Sequence, residues 1–246
     1  MSSIRFCDER LTLDSQGVLL WPARQLMAVA DLHLEKGTAC ANRGQLVPPW
    51  DSHLTLTRLA TLVRRHAPKT LVAVGDSFHD TTAAARLSAE DAASLSAITT
   101  ATRMIWVRGN HDPAPPAGIA GECLPFYSEG PLTFRHQAEP GAAGEISGHF
   151  HPKARVATRA GEITRPCFMC DDDKIMLPSF GTYTGGLEIG SPAITRHFPA
   201  GGRAFLLGRA RLFCFTIPAP GEPRATAPCN PDRTALARTV RAHTST

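Results

Sequence analysis

Three short apolar runs, Leu26–Ala30, Thr70–Val74 and residues 104–107, contain no polar alternation. A strand with one wet face alternates apolar and polar side chains, so runs of this kind belong to strands covered on both faces. Two fainter runs lie at Glu145–Ser147 and 174–177. Helix signals separate the first three. Pro48 and Pro49 open a segment to His66 with apolar side chains at Trp50, Leu54, Leu59, Leu62 and Val63. Ser88 followed by Asp91 reads as a capping start for an Ala-rich helix to about Thr100. Strands alternating with helices predict an α/β sheet covered on its faces.

The polar residues that follow each run carry the chemistry. Leu26–Ala30 is followed by Asp31-Leu32-His33, and Thr70–Val74 by Gly75-Asp76-Ser77-Phe78-His79-Asp80. The run at 104–107 leads through Arg108 into Gly109-Asn110-His111-Asp112, and Glu145–Ser147 into Gly148-His149-Phe150-His151. Ligand sites in α/β sheets form outside the carboxyl ends of the strands, so four polar clusters at four strand ends are expected to meet in space. Carboxylates, imidazoles and an amide oxygen, with no thiolate beside them, suit divalent metals of intermediate hardness. D-x-H and H-x-H spacing in an extended segment puts both side chains on one side. Asp76, on a central strand, has the two oxygens needed to bridge a pair of ions that clamp a phosphate.

Taken in this order, D-x-H, G-D-x-x-H, G-N-H-D and G-H-x-H resemble the calcineurin-like metallophosphoesterases. More narrowly, Ala30 to Gly37, Gly75 to Asp80, His149 to Pro152 and Leu177 to Leu187 resemble the ligase-associated DNA damage response endonucleases. The resemblance implies an α/β (α+β) fold, a β-sandwich flanked by helices, and two divalent ions, with Mn2+ expected and Fe or Zn as alternatives. It places Asp31, His33, Asp76 and His151 around the first ion. Asp76, Asn110, His149 and, by its place in the order, His136 would surround the second. His111 would serve as acid or electrostatic stabiliser at the leaving-group oxygen, with Asp112 holding its ring. Position 79 departs from many phosphatases of the superfamily, carrying His where they carry Asp, and neither His79 nor Asp80 receives a role. The resemblance further implies a phosphodiesterase acting on DNA in repair, working with a DNA ligase, a helicase and an exonuclease. Two other readings keep the fold: a phosphatase or phosphodiesterase of small nucleotides or phosphomonoesters, and an idle scaffold. An open basic channel separates the first from a closed acidic pocket, and loss of ligands would mark the scaffold.

The remaining features constrain less. Twenty-six basic residues against 22 acidic ones give +4, too little to announce a nucleic-acid binder, although 22 of the 26 are arginine. Arg108 and Arg135, next to site residues, either hold substrate phosphate or point to the opposite face. Tyr183 to Gly186 reads as a glycine-rich loop near the site, with substrate contact left open. Gly75, Gly109 and Gly148 read as tight turns, and His53, His66, His197 and His243 as structural or solvated. Seven scattered cysteines read mostly as reduced buried thiols, with Cys167 and Cys170 in a buried hairpin. No apolar run is long enough to span a bilayer, and Arg5, Asp8, Glu9 and Arg10 replace the apolar core of a signal peptide, so a cytoplasmic setting is the default expectation. Residues 1–217 read as one domain. Residues 218–246, rich in Pro and Arg with a net charge of +2, read as a flexible tail, with a short helix over 232–242 as an option.

Overall fold

The computed structural model describes residues 1–113, 118–158 and 161–222. Two sheets lie face to face. The first contains β1 (Ser2–Phe6), β2 (Glu9–Leu13), β3 (Leu19–Trp21), β4 (Leu26–Ala30), β5 (Thr70–Val74), β6 (Arg103–Val107) and β7 (Glu122–Leu124), in that spatial order. Its first four strands are antiparallel neighbours, and β4 to β7 run parallel. The second contains β8 (Phe126–Glu129), β9 (Leu132–Arg135), β10 (Glu145–Ser147), β12 (Gly161–Cys170), β13 (Lys174–Met176), β14 (Gly202–Leu207) and β15 (Leu212–Ile217). A further strand, β11 (Lys153–Thr158), pairs with β12 in an antiparallel hairpin.

The period of two in a strand decides how the layers stack. Leu26, Ala28 and Ala30 of β4 point into the sandwich with Val72 and Val74 of β5 and Ile105 and Val107 of β6. There they meet Phe134, Ile146, Phe168, Ile175 and Phe205 of the second sheet. The intervening Met27, Val29, Leu71, Ala73, Met104 and Trp106 point outward into a second core, closed by α2 (Asp51–His66) and α3 (Ala89–Ala101). This double burial explains why the three runs lack alternation. A third core, with Cys167, Met169, Ile194, Phe198 and Leu206, lies on the outer face of the second sheet under the short α4 (Pro192–Thr195).

One helix, α3, starts at a side-chain cap. Ser88 caps α3 by accepting from the Asp91 amide at 3.1 Å. The helix expected from Pro48 begins at Asp51, and its buried stripe is Leu56, Leu59, Leu62 and Val63. Trp50 and Leu54 are exposed instead, because the first turn of α2 faces α1 (Lys36–Asn42) and the 180s loop with its polar side chains. Cys167 and Cys170 lie within strand β12, and both are buried free thiols. Cys214, on β15, is disulfide-bonded, a pairing that the scattered cysteine spacing does not announce. The expected tail lies, from residue 223 onward, outside the described residues, as does the optional helix at 232–242. Among the described residues, no helix is long and apolar enough to cross a membrane.

Phe168 is fully buried between the sheets and pairs in register with Phe205. Phe168→Ala is expected to lower the unfolding free energy by about 3–5 kcal/mol. A urea titration should show an earlier midpoint with an unchanged slope.

Candidate active site

Five strand ends supply one pit. Asp31 directly follows β4, Gly75 and Asp76 follow β5, and Asn110 follows β6 after Arg108 and Gly109. From the second sheet, His136 directly follows β9, while Gly148 and His149 follow β10. The parallel pairings β4–β5–β6 and β9–β10 are what bring these ends to the same edge of the sandwich.

The chain does not remain extended there. Asp31 (φ 55°), His33 (φ 45°), Asp76 (φ 45°), His149 (φ 69°) and His151 (φ 47°) all have left-handed backbone. Such conformations disfavour residues with a side chain, at a cost of about 1–3 kcal/mol each, and tend to collect at functional sites. The D-x-H and H-x-H pairs therefore converge through tight turns, not through the alternation of an extended segment. Two glycines make the room. Gly75 is itself left-handed, and a Cβ on it would strike the His136 ring. A Cβ on Gly148 would come within 2.6 Å of the Asp31 carboxylate, so this glycine serves close approach.

The side chains form two groups, linked by a third made of His33, Asp76 and His111. Asp31, His33 and His151 make one: His151 Nε2 lies 3.4 Å from Asp31 Oδ1 and 3.4 Å from His33 Nε2. Asp76, His136 and His149 make the other: His136 Nε2 lies 3.4 Å from Asp76 Oδ2 and 3.0 Å from His149 Nδ1. The Asn110 side-chain oxygen is 2.8 Å from the same His136 nitrogen. Asp76 Oδ2 also lies 3.8 Å from His33 Nε2, which places one carboxylate between both groups. Facing imidazole nitrogens can share at most one proton, and a cation between them satisfies both lone pairs. With carboxylate, imidazole and amide donors and no thiolate, this arrangement fits divalent metal ions.

Electrostatics agree with a cation site. Burial alone would raise the Asp76 carboxyl, but the His136 hydrogen bond and charge, the His111 amide and the His33 charge hold it below the usual carboxylate range. Burial disfavours charge on His136 as well, yet the Asp76 hydrogen bond and the charges of Asp31 and Asp76 keep its pKa raised. His33 and His149 are lowered, in both cases chiefly by burial. They therefore stand neutral, the form that binds metal.

The expected role of Asp112 needs correction. Its carboxylate accepts the amides of Ser77 (2.8 Å), Phe78 (3.1 Å) and Gly109 (3.2 Å), tying the turn after β5 to the turn after β6. Burial pushes its pKa up to about 6, with the Asp76 charge adding and the Phe78 and Ser77 amides opposing. It does not hold the His111 ring. That ring bonds through Nδ1 to the His79 carbonyl at 2.9 Å and stacks on the His79 ring, the centroids 5.2 Å apart. A carbonyl only accepts, so Nδ1 carries the proton, and Nε2 is presented 3.9 Å from Asp76 Oδ2.

Arg135 is also corrected. It forms ion pairs with Glu139 and with Glu145, the latter buried, and its guanidinium lies over Phe126. Pairing to two carboxylates leaves it no free charge for a phosphate. Arg108 is exposed at the rim, with its amide bonded to the Leu124 carbonyl. Asp80 faces away from the pit and pairs with Arg86 at 2.7 Å. Glu35 has a structural part that sequence reasoning missed. Buried, and accepting from Ser52 and Thr38 at 2.7 Å each, it fastens the His33 turn to α2. Its only signal was an acidic residue next to D-x-H without a strand or helix pattern to absorb it.

Comparison with known proteins agrees with this geometry. The calcineurin-like phosphoesterase family model matches residues 25–172, a stretch that contains every residue of the two groups. Among solved structures, the nuclease MPE of Pseudomonas putida is similar at a TM-score of 0.66 and 30% identity, covering 85% of this chain and 98% of that one. No curated protein sequence matches. A family match over more than half of the chain, joined to a pit of metal-binding side chains at its strand ends, makes the protein a member of the calcineurin-like phosphoesterase family and a metal-dependent hydrolase.

Proposed function

We propose that this chain is a dinuclear phosphodiesterase that cuts DNA, acts in DNA repair in the cytoplasm, and works beside a ligase, a helicase and an exonuclease. The observation that carries the reading is the position of Asp76 Oδ2 between the two groups of imidazoles. In this reading Asp31, His33, Asp76 and His151 hold one divalent ion, and Asp76, Asn110, His136 and His149 hold a second. Mn2+ suits this mixed oxygen and imidazole set. Such ions supply charge neutralisation at a phosphoryl oxygen and a nucleophile ionised at neutral pH.

The chain's own residues do the rest. His111, half exposed at the mouth, has its Nδ1 proton committed to the His79 carbonyl, so Nε2 is the edge that meets substrate. Protonated there, it gives a proton to the departing oxygen or stabilises its charge. Asp112 keeps the β5 and β6 turns in register, and exposed Arg108 is available to the substrate backbone. The nuclease described for Pseudomonas putida supports a nucleic-acid substrate over a small monoester.

Purified protein should nick DNA with Mn2+ and stop when the metal is chelated. Asp76→Asn should abolish cleavage, and turnover of a phosphomonoester without cutting of single-stranded or duplex DNA would defeat the nuclease reading. Metal should also stabilise the fold by about 2.7 kcal/mol at a concentration a hundredfold above its Kd. Calorimetry should find this gain reversed by chelator and reduced in Asp76→Asn. His111→Gln is expected to slow cleavage by about 10²–10⁴-fold while keeping the metal-induced thermal shift. Loss of that shift would make His111 a ligand instead.

A further inference from the structure

Beside the pit lies a cavity of about 370 Å3 whose wall is shared through His151. The loop from Ser179 to Gly185 forms much of its lining and is fixed from below. Phe180 and Gly181 donate to the carbonyls of Ala30 and Asp31 at 2.8 and 3.0 Å, and Thr182 bonds to Thr55 of α2. Arg58, also of α2, stacks its guanidinium 3.9 Å above the Phe180 ring and donates to the Phe180 carbonyl. Lys153 enters from the start of β11. Its stem crosses Gly186, where a Cβ would come within 2.8 Å of Lys153 Cε, and its ammonium lies 3.5 Å from the Thr184 carbonyl.

The charge balance of this lining is one-sided. Arg58 and Lys153 contribute two cations, and no Asp or Glu lines the cavity. It opens next to a pit built around Asp31 and Asp76, so the anion it suits is one delivered together with a group bound in the pit. A phosphomonoester brings no second anion. A nucleic-acid strand brings one at each neighbouring linkage. We infer that the cavity seats the phosphodiester next to the scissile one, with Lys153 as its point charge and the Arg58-braced loop as its floor. The inference rests on the nuclease reading above and extends it: the enzyme selects strands of several linkages over substrates with a single one.

The test compares a thymidine dinucleotide, which has one phosphodiester, with a short oligothymidylate, both under Mn2+. Wild type should cut the oligonucleotide with the higher kcat/KM. Lys153→Ala should lower the oligonucleotide-to-dinucleotide ratio about tenfold and flatten the salt dependence of strand binding by about 0.7 in log–log slope, the share of one lost phosphate contact. Lys153→Arg, which restores the charge, should recover most of the ratio and guards against a folding defect. A ratio unmoved by Lys153→Ala, with both substrates slowed in equal proportion, overturns the seat and leaves the nuclease reading standing. A wild type that hydrolyses the dinucleotide but no oligonucleotide overturns both.

Discussion

The constraint on which this molecule depends is the left-handed turn taken directly after a strand by residues that are not glycine. Asp31, His33, Asp76, His149 and His151 each occupy that conformation. Strain of this kind persists only where the surroundings over-determine it. For Asp31, His33 and Asp76 the surroundings are parallel strands pinned by two hydrophobic layers, one inside the sandwich and one under α2 and α3, and for His149 and His151 they are β10, which buries Ile146 in the inner layer. Moving one end outward would drag apolar side chains from both cores. The sandwich thus acts as the frame that keeps five unfavourable residues, after three strands, in place.

Buried carboxylates finish what the frame begins. Asp31 receives the His149 amide, Asp76 the His111 amide, and Asp112 three amides from two turns. Glu35 ties the His33 turn to α2, and Asp51 of α2 accepts the Gly37 amide of α1. Each bond from a backbone N–H to a carboxylate is charge-assisted and stronger than a neutral one. Side chains that also face the pit thereby fix the backbone of neighbouring strand ends. A site held this way is pre-organised, so an arriving ion does not have to order its own ligands.

The sequence disclosed the central strands because burial on both faces removes alternation, and it disclosed the ligand-type residues because they follow those strands without a break. Other parts were hidden for physical reasons. The H-x-H and D-x-H convergence depends on φ, which residue names at those positions do not reveal. The roles of Asp112 and Arg135 depend on which partner is nearer in space, and the partners lie in the turn after β5 and on β10. Trp50 and Leu54 misled because the apolar period of α2 is interrupted at its first turn, where Ser52 and Thr55 face inward. The edge hairpins of both sheets alternate only partly, so their boundaries do not stand out.

Net charge concealed the electrostatics for a related reason. A total of +4 says nothing about where charge lies. In the fold, Lys36 and Arg43 lie near enough to His79 to lower its pKa further, after burial, on one flank of the pit. Arg58 and Lys153 line the cavity whose wall His151 shares with the pit. The pit itself is built around the carboxylates of Asp31 and Asp76. The layout of charge in the fold, an acidic pit with cations beside it, is what the sum of charges cannot show.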